Sequence, residues 1–275
     1  MTMESKLKSL SASNAATCYA SLCGRVTLYL GDSLAIAPTL ESVDAVISDP
    51  PYGIAFQHSG ASNDFGAASR TETIKGDDKP FDPAPWLAFP IVCMWGADHF
   101  AQRLPEGRWL IWDKLGGREE FGDSFSDAEV AWGNGKAAMR IHRRMWKGTL
   151  REGTDRTEKR HHVSQKPQEL MAWCMDKMKV PAGATVLDPY MGSGSTGIAC
   201  IRSGRKFIGI EIDADHYKTA VERIERELAQ GDLFRHNVIG HPRRDGSPNS
   251  TRRLIAVGWT VLLALVCADG PMQDE

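Results

Sequence analysis

Residues 184–213 read ATVLDPYMGSGSTGIACIRSGRKFIGIEID, and the pattern of this segment indicates the fold class. Its apolar start at 184–187 predicts a buried strand, 196–203 predicts a helix closed by Gly204, and 207–210 predicts a second strand. A strand, a glycine-rich turn, a helix and another strand in this order are typical of a parallel βαβ unit. The stretch therefore places the chain in the α/β class.

Short β-branched runs elsewhere extend the same sheet. Residues 26–30 (VTLYL) and 43–48 (VDAVIS) each precede turn-forming residues and predict buried parallel strands. Further elements are predicted as strands at 91–94 and 108–112, helices at 97–104 and 165–178, the latter with Pro167 in its first turn, and a last helix capped by Asp213. The sequence thus predicts a doubly wound, mostly parallel sheet with a small loop-rich insertion.

Composition shifts suggest where the domain begins and ends. The chain has 275 residues, 42% of them hydrophobic, which suffices for one large core. We expect a flexible arm at 1–24, one main domain at 25–235 and a C-terminal tail at 236–275, whose role the sequence does not indicate. Within the main domain, residues 116–162 are rich in Gly, Arg and Trp without clear periodicity, so they are interpreted as the insertion.

Charge is unevenly distributed along the chain. The formal net charge is -2, yet between Lys136 and Lys166 we count ten Lys or Arg against three Asp or Glu. Such an excess favours a surface that binds nucleic-acid phosphates. The alternative is a solvated charged loop with no partner.

The cysteines and the apolar runs indicate the cellular compartment of the protein. The 6 cysteines include no C-x-x-C pair or nearby histidine cluster, which predicts reduced thiols, no metal site and a cytoplasmic protein. No apolar h-region follows the first lysines, so we expect no secretory signal. Residues 254–268 are nearly all apolar but shorter than the roughly 20 residues that span a bilayer. A docked terminal helix or strand is therefore preferred to a membrane anchor.

The glycine-rich turn is the first candidate binding loop. Gly192, Gly194 and Gly197 satisfy G-x-G-x-x-G, a pattern that alone is equally typical of a turn without ligand. Asp188 and Glu211, however, each end a predicted strand at the edge where open α/β sheets bind ligands. A carboxylate there can accept hydrogen bonds from ribose hydroxyls, so the loop predicts an adenosine-containing cofactor.

A second loop, Asp49-Pro50-Pro51-Tyr52, directly follows the strand predicted at 43–48. Its two prolines stiffen the backbone, so that the Pro50 carbonyl can stand as a rigid acceptor beside the Asp49 carboxylate. Tyr52 adds a flat ring with a polar tip. Two acceptors beside an aromatic plate suit the amino group of a planar base, although a proline-rich turn capping a strand is the plainer interpretation.

Together the two loops resemble those of the DNA amino-methyltransferases, which share a D-P-P-Y catalytic loop and a D-P-F-x-G-S-G-like cofactor loop. The catalytic loop comes first here, as in the β-ordered, circularly permuted group of that family. His162-x-Ser164-Gln165-Lys166-Pro167 resembles the family's H-x-[ST]-Q-K-P segment, and Gly31-Asp32 its G-D pair. The resemblance covers roughly residues 24–56 and 160–230.

The resemblance implies a Rossmann-like methyltransferase fold, S-adenosylmethionine as cofactor, and methylation of adenine N6 in double-stranded DNA. The insertion would then recognise the target. The catalytic residues it implies are Asp49, Pro50, Pro51 and Tyr52. The cofactor residues are Asp32, Asp49, Ser164, Lys166, Asp188, Tyr190, Gly192, Ser193, Gly194, Thr196, Glu211 and Asp213. The DNA-contacting residues are Arg140, Arg143, Arg144 and Lys147.

The sequence departs from the family pattern at some positions, and it leaves other functions open. Tyr190 replaces the family's usual Phe, and the short middle leaves the recognition sequence open. Cytosine-N4 methylation is the nearest rival, although that subgroup tends to carry Ser in place of Asp49. A nicotinamide-dependent oxidoreductase would need more strands than the 78 residues after Gly197 provide. A DNA-binding protein without catalytic activity is a further alternative. The sequence also leaves open whether the protein forms a homodimer and whether it has a restriction partner.

Overall fold

The computed structural model describes residues 17–54, 75–119, 126–147, 150–151 and 165–235, all within one compact unit of the chain. The expected tail at 236–275, its apolar run at 254–268 and the first 16 residues of the expected arm lie outside the described residues.

Within the described residues, nine strands form one sheet in the order β1-β2-β11-β10-β3-β4-β6-β5-β7, and β8 pairs with β9 separately. The strands are β1 (Thr17–Ala20), β2 (Val26–Leu30), β3 (Ala45–Ser48), β4 (Ile91–Trp95), β5 (Arg108–Asp113), β6 (Ala128–Gly133), β7 (Arg140–Arg143), β8 (Trp146–Lys147), β9 (Leu150–Arg151), β10 (Thr185–Asp188) and β11 (Lys206–Glu211). The α-helices are α1 (Ser33–Ile36), α2 (Gln168–Lys177), α3 (Ser195–Arg202) and α4 (Ala214–Arg235), and short 3₁₀ segments cover Ala37–Thr39, Ala84–Trp86 and Ala97–Arg103.

The centre of the sheet is parallel. Strands β2, β11, β10, β3 and β4 all run in one direction, whereas β1 is antiparallel at the edge and β6 is antiparallel to both β4 and β5. The prediction of a mostly parallel α/β sheet is therefore confirmed. The reversal of β6 matters for the site, because it brings the start of β6 to the edge where the parallel strands end.

Both faces of the sheet are buried at its centre. All four residues of β3 are buried, and alternate positions enter different cores. Ala45 and Ile47 pack with apolar residues of α2, α3 and α4, whereas Val46 packs on the other face with Trp86 and Phe100. A strand buried on both sides needs apolar residues at successive positions, which is why its sequence shows a continuous apolar run.

The order of the strands creates a topological switch point. From β10 the chain passes through α3 to β11 on one side, whereas from β3 it continues to β4 on the other side. The carboxyl ends of β10 and β3 are neighbours, with Leu187 opposite Val46. Connections that leave in opposite directions open a crevice at this point, where doubly wound sheets bind their ligands.

The structure corrects two predicted helices. The helix expected at 165–178 begins at Gln168, with Pro167 extended at its N-cap. A proline disfavours helical backbone in the residue before it, so Lys166 stays outside the helix. The segment expected as a helix at 97–104 is 3₁₀-helical and is interrupted at Phe100, whose buried ring packs edge-on against Phe81.

Two predicted boundaries are also wrong. The arm expected at 1–24 includes β1, which pairs with β2 from Thr17 onward. The insertion expected at 116–162 contributes β6 and β7 to the main sheet, so this part of it belongs to the domain core. Trp132 on β6 is fully buried, and its indole donates to the Pro105 carbonyl at 3.1 Å.

Candidate active site

The Asp49 carboxylate lies directly after β3, at the switch point. Its Oδ1 accepts a hydrogen bond from the Tyr52 hydroxyl at 2.6 Å, and its Oδ2 accepts one from Lys166 Nζ at 2.7 Å. Burial raises the pKa of Asp49, and the Lys166 ammonium opposes that rise. The two donors therefore fix the orientation of the carboxylate and favour its charged form.

Tyr52 is held from two sides. Its ring stacks on His99 at a centroid distance of 4.9 Å and an interplanar angle of 18°, and it passes close over Gly96. Burial and the Asp49 carboxylate raise the pKa of Tyr52 well above its ordinary value, so the phenol stays protonated and donates. The expected aromatic plate is present, with His99 as its stacking partner among the described residues.

The residues after Tyr52 are held by an aspartate that the sequence did not single out. Asp77 is buried, and its Oδ1 accepts from the Gly53 N–H at 2.7 Å and the Ile54 N–H at 3.3 Å. Gly53 has a φ of +76°, and an added Cβ would lie 2.3 Å from the Lys79 carbonyl oxygen. The segment after the catalytic loop therefore needs glycine at this position.

Asp188 ties the two candidate loops together. Its carboxylate accepts from Ser48 Oγ and Thr196 Oγ1, each at 2.6 Å, and from the Tyr190 N–H at 3.1 Å. Burial raises the pKa of Asp188 to about 6, against the effect of these donors. The structure thus gives Asp188 an organising position, with its oxygens engaged by the protein.

The glycine loop curves around the start of α3. Gly192 and Gly194 adopt left-handed backbone with φ of +52° and +83°, and an added Cβ at Gly192 would meet nothing within 4 Å. At the start of α3, the buried Oγ of Ser195 has no hydrogen-bond partner among the described residues. Ser193 is a hydrogen-bond acceptor for Arg223 through its carbonyl and its hydroxyl.

Glu211 stands at the end of β11, where the sequence predicts a ribose-binding carboxylate. Its Oε2 accepts from the Gly192 N–H at 2.9 Å, and its Oε1 accepts from the Asp213 N–H at 2.8 Å. Burial raises the pKa of Glu211. Each oxygen of a carboxylate has two lone-pair sites, so both can still accept from a ligand.

Asp213 and Asp32 are helix caps in this structure. Asp213 Oδ1 accepts from the N–H groups of Asp215 and His216 at the start of α4, as its predicted N-cap role requires, and Asp213 Oδ2 lies 3.0 Å from Lys75 Nζ. Asp32 Oδ1 accepts from the Leu34 N–H at 2.9 Å. Both carboxylates stand at carboxyl ends of neighbouring parallel strands, near Glu211.

Tyr190 belongs to an aromatic wall on the other face of the sheet. Its ring meets Phe81 and Trp86 edge-on, both at centroid distances of 5.7 Å. The hydroxyl that distinguishes it from the family's phenylalanine leaves this ring packing in place.

Lys166 contacts the acceptor loop. The sequence predicts that it lies near the methionine end of the cofactor, together with Ser164, which lies outside the described residues. In the structure the Nζ of Lys166 contacts Asp49, Tyr52 and Glu129, and its role toward the cofactor stays a prediction. Glu129 belongs to no motif of the sequence. Its position in the site follows only from the pairing of β6 with β4 and β5.

The residues proposed for DNA contact are separated by the structure. Arg140 is exposed on β7, and Arg143 is mostly exposed and lies 3.6 Å from Asp113. Arg144 is buried and ion-paired with Glu169, so its assignment to phosphate contact is wrong. Of Lys147, only its backbone in β8 is described.

The described residues show neither a group of metal ligands nor a membrane-spanning helix. Within the described ranges, no three His, Cys, Asp or Glu side chains are grouped as metal ligands would be. The same residues include no helix both long and apolar enough to span a membrane.

Part of the chain is similar in sequence to known proteins. Residues 107–222 match the family described as DNA methylase. The chain is 43% identical over 68 residues to the DNA adenine methyltransferase YhdJ of Escherichia coli (strain K12), a match covering 25% of this chain and 23% of YhdJ. It is 35% identical over 83 residues to the type II methyltransferase M2.DpnII of Streptococcus pneumoniae, covering 30% of each. The matched segments thus span a third or less of these curated relatives.

The M1.HpyAVI–SAM complex superposes with a TM-score of 0.46 at 23% identity, over 72% of this chain and 98% of the other. The PvuII DNA methyltransferase, titled cytosine-N4-specific, gives a TM-score of 0.45 at 14% identity, over 75% of this chain and 92% of the other.

Proposed function

We propose that this protein, whose residues 107–222 carry the sequence pattern of the DNA methylase family, methylates the exocyclic amino group of a base in DNA. The observation that carries the proposal is the junction of the two loops. Ser48, the last residue before Asp49, donates to Asp188 at 2.6 Å, so the acceptor loop and the glycine loop are joined at the switch point.

The cofactor of the proposed reaction is S-adenosylmethionine. Three features fit a ligand that carries ribose hydroxyls: the open space over Gly192, the Ser195 hydroxyl, which has no partner in the described part of the chain, and the Glu211 carboxylate at the strand end. Glu211 would hold the ribose, and the loop from Asp188 to Thr196 would surround the rest. When bound, this cofactor supplies a methyl group activated on a sulfonium.

Asp49 is proposed to act on the amine that receives the methyl group. The lone pair of an exocyclic amine is delocalised into the ring, so the amine is a poor nucleophile. Hydrogen bonds from its two N–H groups to Asp49 and to the Pro50 carbonyl would localise that lone pair on nitrogen. As the nitrogen takes the methyl group, the methyl–sulfur bond of the sulfonium would break and leave a neutral thioether. The nitrogen would lose one proton, for which the Asp49 carboxylate is the proposed acceptor.

The target base must leave the helix to reach this site. Flipping a base out of a duplex costs a few kcal/mol. An aromatic ring that stacks on the base can return about 1–3 kcal/mol of that cost. Tyr52 is the proposed ring, and it would exchange its stacking contact with His99 for one with the base. Phosphate contacts are assigned to Arg140 and Arg143, the two exposed arginines of β7.

Adenine N6 is the proposed target. Asp at position 49, where the cytosine-N4 subgroup tends to carry Ser, favours adenine. The relatives include a protein named as a DNA adenine methyltransferase. Cytosine N4 remains the alternative because cytosine presents a similar amine.

Product analysis tests the proposal. The purified protein is incubated with methyl-labelled S-adenosylmethionine and duplex DNA from a methylation-free host, and the DNA is digested to nucleosides for mass spectrometry. We expect N6-methyladenine. N4-methylcytosine alone would transfer the assignment to the alternative, and the absence of any methylated base would refute the function. Mapping modified bases in the same host after expression would give the recognition sequence.

A further inference from the structure

Four charged side chains form a chain of ion pairs behind Asp49. Lys114 Nζ lies 3.0 Å from Glu129 Oε1, Lys166 Nζ lies 3.0 Å from Glu129 Oε2, and Lys166 Nζ lies 2.7 Å from Asp49 Oδ2. The exposed fractions of these side chains are 25% for Glu129, 18% for Asp49 and 7% for Lys166. Two cations and two anions thus alternate in a largely dry setting.

The topology of the sheet brings these residues together from four separate segments. Lys114 follows the end of β5, and Asp49 follows the end of β3. Glu129 is the second residue of β6, whose reversed direction places its start at the same edge. Lys166 lies in the extended segment before α2, outside the helix because of Pro167.

Glu129 stays ionised in this position. Burial opposes its charge, but the Lys166 and Lys114 ammonium groups outweigh burial and lower the pKa of Glu129 to about 2. The same attraction acts on Lys166. Burial alone would lower the pKa of Lys166, yet the Asp49 and Glu129 carboxylates raise it well above its ordinary value. The pair is therefore charged throughout the neutral range.

We propose that Glu129 is a positioning residue for the methyl transfer proposed above, on which this inference rests: it holds the Lys166 ammonium at Oδ2 of Asp49, and so fixes the carboxylate for the substrate amine. Without Glu129, Lys166 keeps one carboxylate partner and the Tyr52 hydroxyl, at 3.1 Å. Lys114 would lose its carboxylate partner at the same time.

The direction in which the acid limb of the pH–rate profile shifts distinguishes a positioning role of Glu129 from simple removal of its charge. The groups acting on Asp49 are Lys166 before α2, Tyr52 on its own loop, Glu129 on β6 and Asp188 at the end of β10. Removing the negative charge of Glu129 with Lys166 left in place would lower the pKa of Asp49. Releasing Lys166 would raise the pKa of Asp49, because its strongest stabilising charge departs. Positioning therefore predicts that the acid limb of the rate profile moves to higher pH.

The experiment compares Glu129→Gln, Lys166→Met and the double variant in single-turnover methyl transfer to duplex DNA across pH. We expect Glu129→Gln to slow transfer about 10- to 100-fold, the scale of a misplaced catalytic group. Its acid limb should move up in pH, with unchanged cofactor affinity by calorimetry. The double variant should be no slower than Lys166→Met, because Glu129 acts through Lys166.

Glu227→Gln is the matched control. Glu227 is a partly buried carboxylate, 14% exposed, that pairs with Arg202 at 2.8 Å between α4 and α3. Its loss should leave the rate and the pH profile unchanged. An unchanged rate in Glu129→Gln, an acid limb that moves to lower pH, or additive losses in the double variant would overturn the inference.

A second readout needs no methyl transfer. Acetic anhydride acetylates a lysine amine only in its neutral form, so mass spectrometry of acetylated peptides reports how firmly the Lys166 ammonium is held. We expect faster acetylation of Lys166 in Glu129→Gln than in the wild type, and an equal rate would count against the inference. If the wild type methylates no DNA base, the proposed function fails, whereas acetylation still decides whether Glu129 holds Lys166.

Discussion

Replacing Gly96 with alanine should displace the ring of Tyr52. Gly96 follows β4 with a φ of +67°, and an added Cβ would lie 1.9 Å from Tyr52 Cε1 and 2.4 Å from Tyr52 Cζ. Carbon atoms in contact are about 3.5–4.0 Å apart, so the ring must move by roughly 1.5–2 Å. That movement would break the 2.6 Å hydrogen bond from Tyr52 to Asp49.

We expect Gly96→Ala to slow single-turnover methyl transfer about 100-fold. The clash and the left-handed backbone should also cost roughly 1–3 kcal/mol in urea unfolding. Gly135→Ala is the matched control, because Gly135 has a φ of +83° with nothing within 4 Å of an added Cβ. It should lose only about 1–2 kcal/mol of stability and keep its rate. A Gly96→Ala variant with the wild-type rate would refute the packing of Tyr52 on Gly96 as a requirement for catalysis.

Three further predictions follow from the site. Glu211→Ala should weaken S-adenosylmethionine binding at least about tenfold in calorimetry, since a charged acceptor is lost, and unchanged affinity would remove Glu211 from the site. Arg140→Gln should reduce the slope of log affinity for duplex DNA against log salt by about 0.9; an unaltered slope after Arg143 is also replaced would contradict the assignment. Burial raises the pKa of Asp188 from 3.8 to about 6, so the folded state binds a proton more tightly than the unfolded state, and stability falls as pH rises through that window. Urea unfolding of Asp188→Asn should lack this fall, and an identical fall would contradict it.

The regular elements of the domain were predictable because their signals are local. The apolar runs at 26–30 and 207–210 became β2 and β11, and Asp213 caps α4 as its position before an amphipathic segment indicates. The match of residues 107–222 to the DNA methylase family covers most of the second segment of the resemblance, 160–230, but not the first, 24–56. Local periodicity and strand-end residues together suffice for this part of the fold.

The features that the sequence did not predict depend on contacts between residues far apart in the chain. Residues 128–133 read AEVAWG, which lacks the alternation of a half-exposed strand, and β6 inserts between β4 and β5. Glu129 enters the site only through that pairing. Lys166 contacts a carboxylate 117 positions away, a relation that no local pattern encodes. The ion pair of Arg144 with Glu169 of α2 likewise joins two separate segments.

The most direct test of the proposed chemistry is single-turnover methyl transfer by Asp49→Ala, with Asp49→Asn as the charge control. The carboxylate is proposed to act on the amine as the methyl group transfers, so its loss should lower the rate at least about 100-fold. Cofactor affinity, measured by calorimetry, should change far less. Asp49→Asn keeps the size of the side chain but not its charge, and should also be slow. An Asp49→Ala variant that methylates duplex DNA at nearly the wild-type rate would refute the proposed role of Asp49 and place the active site elsewhere.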